Sequence, residues 1–247
     1  MALVVSACTS SVHPEGASTS TTVSAPQQVT APPAPTTPQL PNGASLVADA
    51  TVPMVDVYAS PGAPSPELTL TNPWYLNGTS TPVTQVFYVL GTNAAGWTHV
   101  LLPERPNGSN GWLSPNSARL LIDHYRINVS LGSHQITVLD NGSVLYTGAV
   151  ATGAPATPTP TGLFYLRILL HTTSPTSPYG PYAYGLSSHS EALTTFDGGD
   201  AEIGVHGNND ASVLGQSVSH GCIRMDNAEI TKLAAILPLG TPVDVTS

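Results

Sequence analysis

The sequence contains few charged residues for a folded protein. Asp, Glu, Lys and Arg make up 9% of its 247 residues, whereas they account for about a quarter of an ordinary soluble domain. Six cations stand against fifteen anions, and none of the cations precedes Arg105. Because nucleic-acid binding depends on clustered Lys and Arg, the composition argues against a nucleic-acid partner. No apolar run reaches the length of about 18 residues that predicts a membrane-spanning helix.

Periodic runs of Ala, Leu, Glu and Lys are also missing, which argues against a helical bundle. The chain instead has 24 Pro and 22 Gly, a mixture that predicts polar linkers and turn-rich β structure. The one predicted helix covers residues 227–237. Asp226 and Glu229 form a capping box at its start, and Pro238 and Gly240 follow its end.

Cysteine is scarce as well, and the first of the two, Cys8, closes the short apolar segment L-V-V-S-A-C. The segment resembles a bacterial lipoprotein signal, in which this Cys is lipidated. Residues 1–8 lack the basic start and the longer apolar core of a complete signal. We therefore expect a signal remnant whose true start lies upstream; the alternative is a chance cysteine in a disordered tail. Lipidation of Cys8 would leave Cys222 as a lone and potentially reactive thiol.

Residues 9–45 are predicted to be a disordered linker. Ser, Thr, Ala and Pro make up 25 of these 37 residues, and none is aromatic. Such a segment cannot bury enough apolar surface to offset its chain entropy. We expect a tether that holds the folded part of an exported protein away from a membrane surface.

Residues 46–119 are predicted to form a small β-barrel of short strands separated by Pro, Asn and Gly turns. Alternating or apolar segments occur at residues 52–58, 85–90, 96–102 and 111–113. Their order resembles a bacterial SH3-like module. An unrelated β spacer is the alternative.

Residues 120–247 are predicted to form a second β domain. Residues 125–130 and 134–139 alternate like strands, and a third strand covers residues 144–152. Asn141-Gly142 predicts the tight turn before it, because Asn-Gly accepts positive φ. The fold class is therefore mainly β.

A cysteine with two nearby histidines is the strongest chemical signal in this region. Cys222 stands in S-H-G-C-I-R-M, beside His220 and sixteen residues after His206. A thiolate is the reactive form of cysteine, and a nearby imidazolium would lower the thiol pKa. Gly221 lets the backbone approach a substrate and present N–H groups to an oxyanion. A buried structural cysteine and a metal site are the alternatives; the lack of a second Cys nearby disfavours zinc, and no cofactor is expected.

The motif and its context resemble the YkuD-type L,D-transpeptidases. The resemblance rests on H-G at His206, on S-H-G-C from Ser219 to Cys222, and on T-P-T-G-L-F at residues 159–164. It implies a β-sandwich catalytic domain over residues 120–247, with one C-terminal helix. It also implies an exported, cell-envelope enzyme acting on peptidoglycan stem peptides, anchored at the outer face of the cytoplasmic membrane if Cys8 is lipidated.

The same resemblance assigns roles to single residues. It makes Cys222 the nucleophile, His206 the general base, and His220 the motif histidine. Ser219 and Gly221 become substrate-binding or oxyanion residues, and the Gly207 carbonyl holds the base.

The sequence departs from the strictest form of the family signature two residues after the nucleophile. Arg224 stands there in place of Asn. We expect it either to contact a substrate carboxylate or to pair with Asp226 or Glu229.

The resemblance further implies a thioester on Cys222 that an amine of a neighbouring stem peptide opens to form a cross-link. Carbapenem-type β-lactams would inactivate such an enzyme by acylating Cys222. An L,D-carboxypeptidase, a transpeptidase that attaches proteins to the wall and a non-catalytic wall-binding protein are the alternatives.

Overall fold

The computed structural model describes residues 40, 43–76, 80–174, 176–196 and 198–247. Residues 1–8 with Cys8, and most of the 9–45 linker, lie outside the described residues, so those interpretations stay predictions. The described part is mainly β with a single α-helix, as the sequence predicted. None of its helices has the length and hydrophobicity needed to cross a membrane.

Nineteen strands, one α-helix and a short 3-10 helix at Ala211–Val213 make up the described chain. The strands and the helix α1 have the following bounds: β1 Ser45–Ala50, β2 Met54–Tyr58, β3 Leu68–Thr71, β4 Trp74–Tyr75, β5 Pro82–Val83, β6 Val86–Thr92, β7 Thr98–Leu101, β8 Asn110–Leu113, β9 Ala118–Asp123, β10 Tyr125–Ser130, β11 Gln135–Asp140, β12 Ser143–Ala149, β13 Thr152–Gly153, β14 Gly162–His171, β15 Tyr182–His189, β16 Glu202–His206, β17 Ser217–Ser219, β18 Ile223–Arg224, α1 Asn227–Ala234 and β19 Pro242–Thr246.

The first β region, residues 43–123, is built on a seven-stranded sheet in the order β3-β2-β8-β7-β6-β1-β9. Its core contains Phe87, Val100 and Leu113, all fully buried. The last strand, β9, pairs with β1 along its whole length. The predicted boundary between residues 119 and 120 therefore falls inside β9, and the chain leaves this sheet at residue 124. The resemblance to an SH3-like module stays a prediction.

The second β region, residues 124–247, contains an eight-stranded sheet in the order β12-β11-β10-β19-β14-β15-β16-β18. Strand β10 has the predicted bounds. The turn before β12 has positive φ at Asn141 (48°) and Gly142 (78°), as an Asn-Gly hairpin turn requires. The chain returns to the centre of the sheet through β19, which is parallel to β10 and antiparallel to β14.

Helix α1 begins as predicted and ends earlier. The Asp226 carboxylate accepts hydrogen bonds from the backbone N–H groups of Ala228 (2.8 Å) and Glu229 (3.2 Å), which is N-capping. The prediction that the helix extends to residue 237 was wrong, because the N–H of Ala235 bonds to the carbonyl only three residues back. The tightened last turn ends the helix at Ala234.

The two β regions share an apolar contact. Val47, Val86 and Leu101 of the first region form one buried cluster with Tyr165 of the second. Gly240 has φ of +96°, and a Cβ there would overlap Val47, so the close approach requires glycine. The first β region is therefore packed directly on the second.

Candidate active site

Two parallel strands bring the predicted nucleophile and base together. His206 is the last residue of β16, and Cys222 immediately precedes β18, which pairs with β16. The backbone N–H of Gly204 donates a hydrogen bond to Cys222 Sγ over 3.3 Å. A Cβ on Gly204 would lie 3.9 Å from both Sγ and His206 Cδ2. The thiol and the imidazole therefore border the same small volume.

The His206 side chain is oriented by the residue that follows it. Its Nδ1 lies 2.6 Å from the Gly207 carbonyl oxygen, which can only accept, so Nδ1 carries the proton and Nε2 is the free base. A Cβ on Gly207 would overlap Asn227 Oδ1, so this arrangement requires glycine. The Tyr179 ring meets the imidazole edge-on, with the ring centroids 5.0 Å apart.

Burial sets the charge state of both groups. Desolvation lowers the pKa of His206 to about 4, with the Gly207 carbonyl opposing the shift and Arg224 adding to it. Desolvation also raises the pKa of the Cys222 thiol, although the Gly204 N–H and Arg224 act in the opposite direction. The resting site is thus a neutral thiol beside a neutral imidazole. Burial thus favours the neutral forms of both groups over the imidazolium and thiolate that the sequence suggested.

Ser219 and Gly221 shape the motif loop from within. The Ser219 hydroxyl donates to the Cys222 carbonyl (2.6 Å) and accepts from the Gly221 N–H (3.1 Å). The Gly221 N–H is therefore engaged within the loop, and an oxyanion role for other N–H groups of the motif stays a prediction. Position 221 requires glycine, because its φ is +120° and a Cβ there would lie 2.7 Å from Ile203 Cδ1.

The T-P-T-G-L-F segment supports the same loop. The Thr159 hydroxyl, which is buried, donates to the Gly221 carbonyl over 2.8 Å and accepts from the Gly153 N–H over 2.8 Å. Thr157, two residues before this segment, donates to the Ser219 carbonyl over 3.0 Å. The first motif therefore fixes the backbone of the second.

His220 and Arg224 lie on the open side of the nucleophile. His220 is exposed and packs against Phe196, with ring centroids 5.2 Å apart. Both residues border a cavity of about 100 Å³ that Cys222 and His206 also line.

Arg224 makes no ion pair with the two acidic residues considered for it. Asp226 caps α1, and Glu229 pairs with Lys232 at 2.7 Å. Within the described ranges, no carboxylate lies within 4 Å of the Arg224 guanidinium. The positive charge of Arg224 can therefore interact with a group that binds in the cavity.

Sequence reasoning missed three contributors to this site: Gly204, Tyr179 and Phe196. Gly204 could have been found from its place in the strand that delivers His206. Tyr179 and Phe196 come from loops with no recognisable motif, and only the fold brings them to the cavity. In the described part of the chain, no group of three or more His, Cys, Asp or Glu side chains is placed to hold a metal ion.

Comparisons with known proteins agree with the motif. The model of the YkuD L,D-transpeptidase catalytic domain matches residues 124–245. A Bacillus subtilis (strain 168) protein that is named as an L,D-transpeptidase, YkuD, is 37% identical to this chain over 121 residues. The aligned residues make up 49% of this chain and 65% of YkuD. A second protein of the same strain that is named as an L,D-transpeptidase, YqjB, is 31% identical to this chain over 129 residues. The aligned residues make up 48% of this chain and 69% of YqjB.

A solved structure is similar over a larger part of the chain. An L,D-transpeptidase from Mycobacterium smegmatis aligns with 66% of this chain and 90% of its own, at 16% identity and a TM-score of 0.42. The chain spans less than two thirds (65%) of the length of the Bacillus subtilis YkuD protein.

Proposed function

Because the chain belongs to the YkuD family of L,D-transpeptidase catalytic domains, we propose that it cross-links peptidoglycan stem peptides through a thioester on Cys222. The observation that carries the proposal is the placement of Cys222 Sγ and the His206 ring around Gly204. A nucleophile beside an oriented base is the arrangement that covalent acyl transfer requires.

The first step forms the acyl-enzyme. His206 Nε2 takes the thiol proton as Sγ attacks the carbonyl carbon of the third stem residue. The carbon–sulfur bond forms, the amide bond to the terminal D-alanine breaks, and His206 returns the proton to the leaving amine. The Gly204 N–H and the Arg224 charge stabilise the transient thiolate.

The second step releases the product. The amine of a neighbouring stem peptide attacks the thioester carbonyl, and His206 accepts its excess proton. The new amide bond forms, the carbon–sulfur bond breaks, and the proton returns to Cys222. If water opened the thioester in place of the amine, the enzyme would be a carboxypeptidase. If an amine of a protein opened it, that protein would become attached to the wall.

Arg224 and His220 suit the carboxylate of the donor. They face the 100 Å³ cavity beside Cys222, which has room for a residue as small as alanine. A charge-assisted bond from the guanidinium would hold the terminal carboxylate during acylation.

Mass spectrometry of the products from a defined tetrapeptide stem tests the proposal. With an acceptor stem present, the purified protein should release D-alanine and form a cross-linked dimer. Free tripeptide alone would identify a carboxypeptidase. Absence of any product, with a thiol that a reactive probe labels only slowly, would favour the non-catalytic wall-binding alternative.

The pH dependence of acylation tests the neutral charge state. A carbapenem should add once per chain, on the peptide that contains Cys222. Since protonated His206 cannot accept the thiol proton, we expect the rate to fall as the pH drops through about 4. The rate should not decline between about pH 7 and 9, because no imidazolium is lost there. The acylation rate is measured by intact-mass spectrometry over time, and circular dichroism verifies the fold at each pH. A clear alkaline decline would instead indicate an imidazolium–thiolate pair.

Localisation is a separate proposal, since Cys8 lies outside the described residues. We expect a lipid on Cys8 to hold the enzyme at the outer face of the cytoplasmic membrane, with residues 9–45 as a tether. Fractionation of cells that express the protein should place the wild type in membranes and the Cys8→Ala variant in the soluble fraction. Equal partition of both forms would leave an exported protein without an anchor.

A further inference from the structure

Cys222 also borders a larger cavity, of about 500 Å³. Most of its lining comes from the second β region, but part of the wall comes from the first. The contributing residues of the first region are Trp74, Tyr75, Leu76, Pro103 and Glu104. The volume is in the range of ligand sites. The family match covers residues 124–245 and therefore assigns these five residues no role.

Hydrogen bonds hold this wall against the chain between β15 and β16. Arg105 donates to the carbonyls of Ser190 (2.7 Å) and Asp200 (2.9 Å). The Asn107 side chain exchanges two hydrogen bonds with the backbone of His189, at 2.8 and 2.9 Å. Together with the shared apolar cluster, these bonds place the wall at a defined position relative to Cys222.

The aromatic part of the wall has one ring engaged and one ring exposed. Trp74 stacks on the Arg167 guanidinium, 3.9 Å from its ring centroid, and Arg167 pairs with Glu202. Tyr75 follows Trp74 in β4 and is 55% exposed. An exposed aromatic ring at a cavity wall offers apolar surface on which a peptide can pack.

Glu104 is the acidic side chain of the wall, and the charge of Arg167, which pairs with Glu202, acts on it from beyond ion-pair distance. Asp200 is paired with Arg105 at 3.3 Å and with His189 at 3.1 Å. Among the described residues, no cation lies within 4 Å of the Glu104 carboxylate. A partly buried carboxylate interacts more strongly with a cation than one in bulk water.

The two cavities define a direction for the donor peptide. The small cavity is bordered by Arg224, and it adjoins the larger one, since Cys222, His206 and Phe196 line both. A donor whose scissile carbonyl lies at Cys222 can extend its remaining residues into the larger cavity, toward Tyr75 and Glu104.

We propose that the first β region forms one wall of the donor-binding site, with Tyr75 packing on the stem peptide and Glu104 binding an ammonium on its third residue. This inference rests on the proposed function. It makes Glu104 a specificity-determining residue and gives the first β region a part in substrate selection.

Two synthetic tetrapeptide donors test the role of Glu104. One carries a side-chain ammonium at the third residue, and the other is the same peptide with that amine acetylated. The ratio of their kcat/KM values for D-alanine release measures charge selection. We expect the wild type to prefer the cationic donor about tenfold and Glu104→Gln to bring the ratio close to one. Glu67→Gln, an identical change at an exposed site off the cavity, should keep the wild-type ratio.

The packing role of Tyr75 is tested in the same assay. Tyr75→Ala should lower kcat/KM for both donors several-fold, whereas Met54→Ala, which shortens a side chain that is 52% exposed in the same region, should not. Dividing each value by the rate of carbapenem acylation corrects for any damage to Cys222. A Glu104→Gln ratio equal to the wild-type ratio would overturn the inference and leave the proposed function standing. A wild type that releases no D-alanine from either donor would overturn both.

Discussion

Replacing Cys222 with alanine is expected to abolish acyl-enzyme formation and D-alanine release while the fold stays intact. The substitution removes only the sulfur, and Cys222 makes no disulfide in the described chain. Loss of a covalent nucleophile lowers turnover by about a thousandfold or more. Release of D-alanine from the tetrapeptide donor measures the effect, and circular dichroism checks the fold.

Cys8→Ala is the matched control, because it makes the same change at the only other cysteine. It should leave the specific activity of the purified enzyme unchanged. A Cys222→Ala variant that retains wild-type turnover would remove the thiol from the mechanism altogether.

Replacing His206 with alanine is expected to lower turnover by about two or more orders of magnitude, the usual effect of losing a positioned general base. His206 is buried, and its Nδ1 is bound to the Gly207 carbonyl, which leaves Nε2 free. His220→Ala should have a smaller effect, because His220 is exposed and packs on Phe196.

Turnover of both variants under donor saturation, with their folds compared by circular dichroism, separates these roles. His220→Ala as the more damaging change would reverse the assignment. A rate for His206→Ala within tenfold of the wild type would show that another group takes the thiol proton.

Strands with alternating residues, and the short apolar run of β6, could be predicted from the sequence, whereas β14 and β15 could not. Strand β10 alternates between buried and partly exposed residues, and its bounds were predicted correctly. Strands β14 and β15 occupy the middle of the sheet and contain runs such as Leu163–Leu166 with little alternation. A short continuous apolar run does not distinguish a buried strand from a helix. The early end of α1 reflects a local backbone choice that propensity does not resolve.

The chemistry of the site was only partly predictable for a related reason. The motif identified Cys222 and His206, because residue type and order are enough to identify a nucleophile and its base. Their charge states depend on burial, which raises the pKa of one and lowers that of the other. The engagement of the Gly221 N–H by Ser219 depends on loop geometry. The contribution of Tyr75 and Glu104 to the cavity arises from packing between segments distant in sequence.

Trapping the acyl-enzyme is the sharpest test of covalent catalysis by Cys222. The wild type is mixed with a tetrapeptide donor in the absence of acceptor, quenched in acid within the first turnover, and analysed by intact-mass and peptide mass spectrometry. We expect a mass increase equal to one tripeptide acyl group, located on the peptide that contains Cys222 and absent from Cys222→Ala. Release of D-alanine with no such adduct at any time, or an adduct on another residue, would contradict covalent catalysis by Cys222.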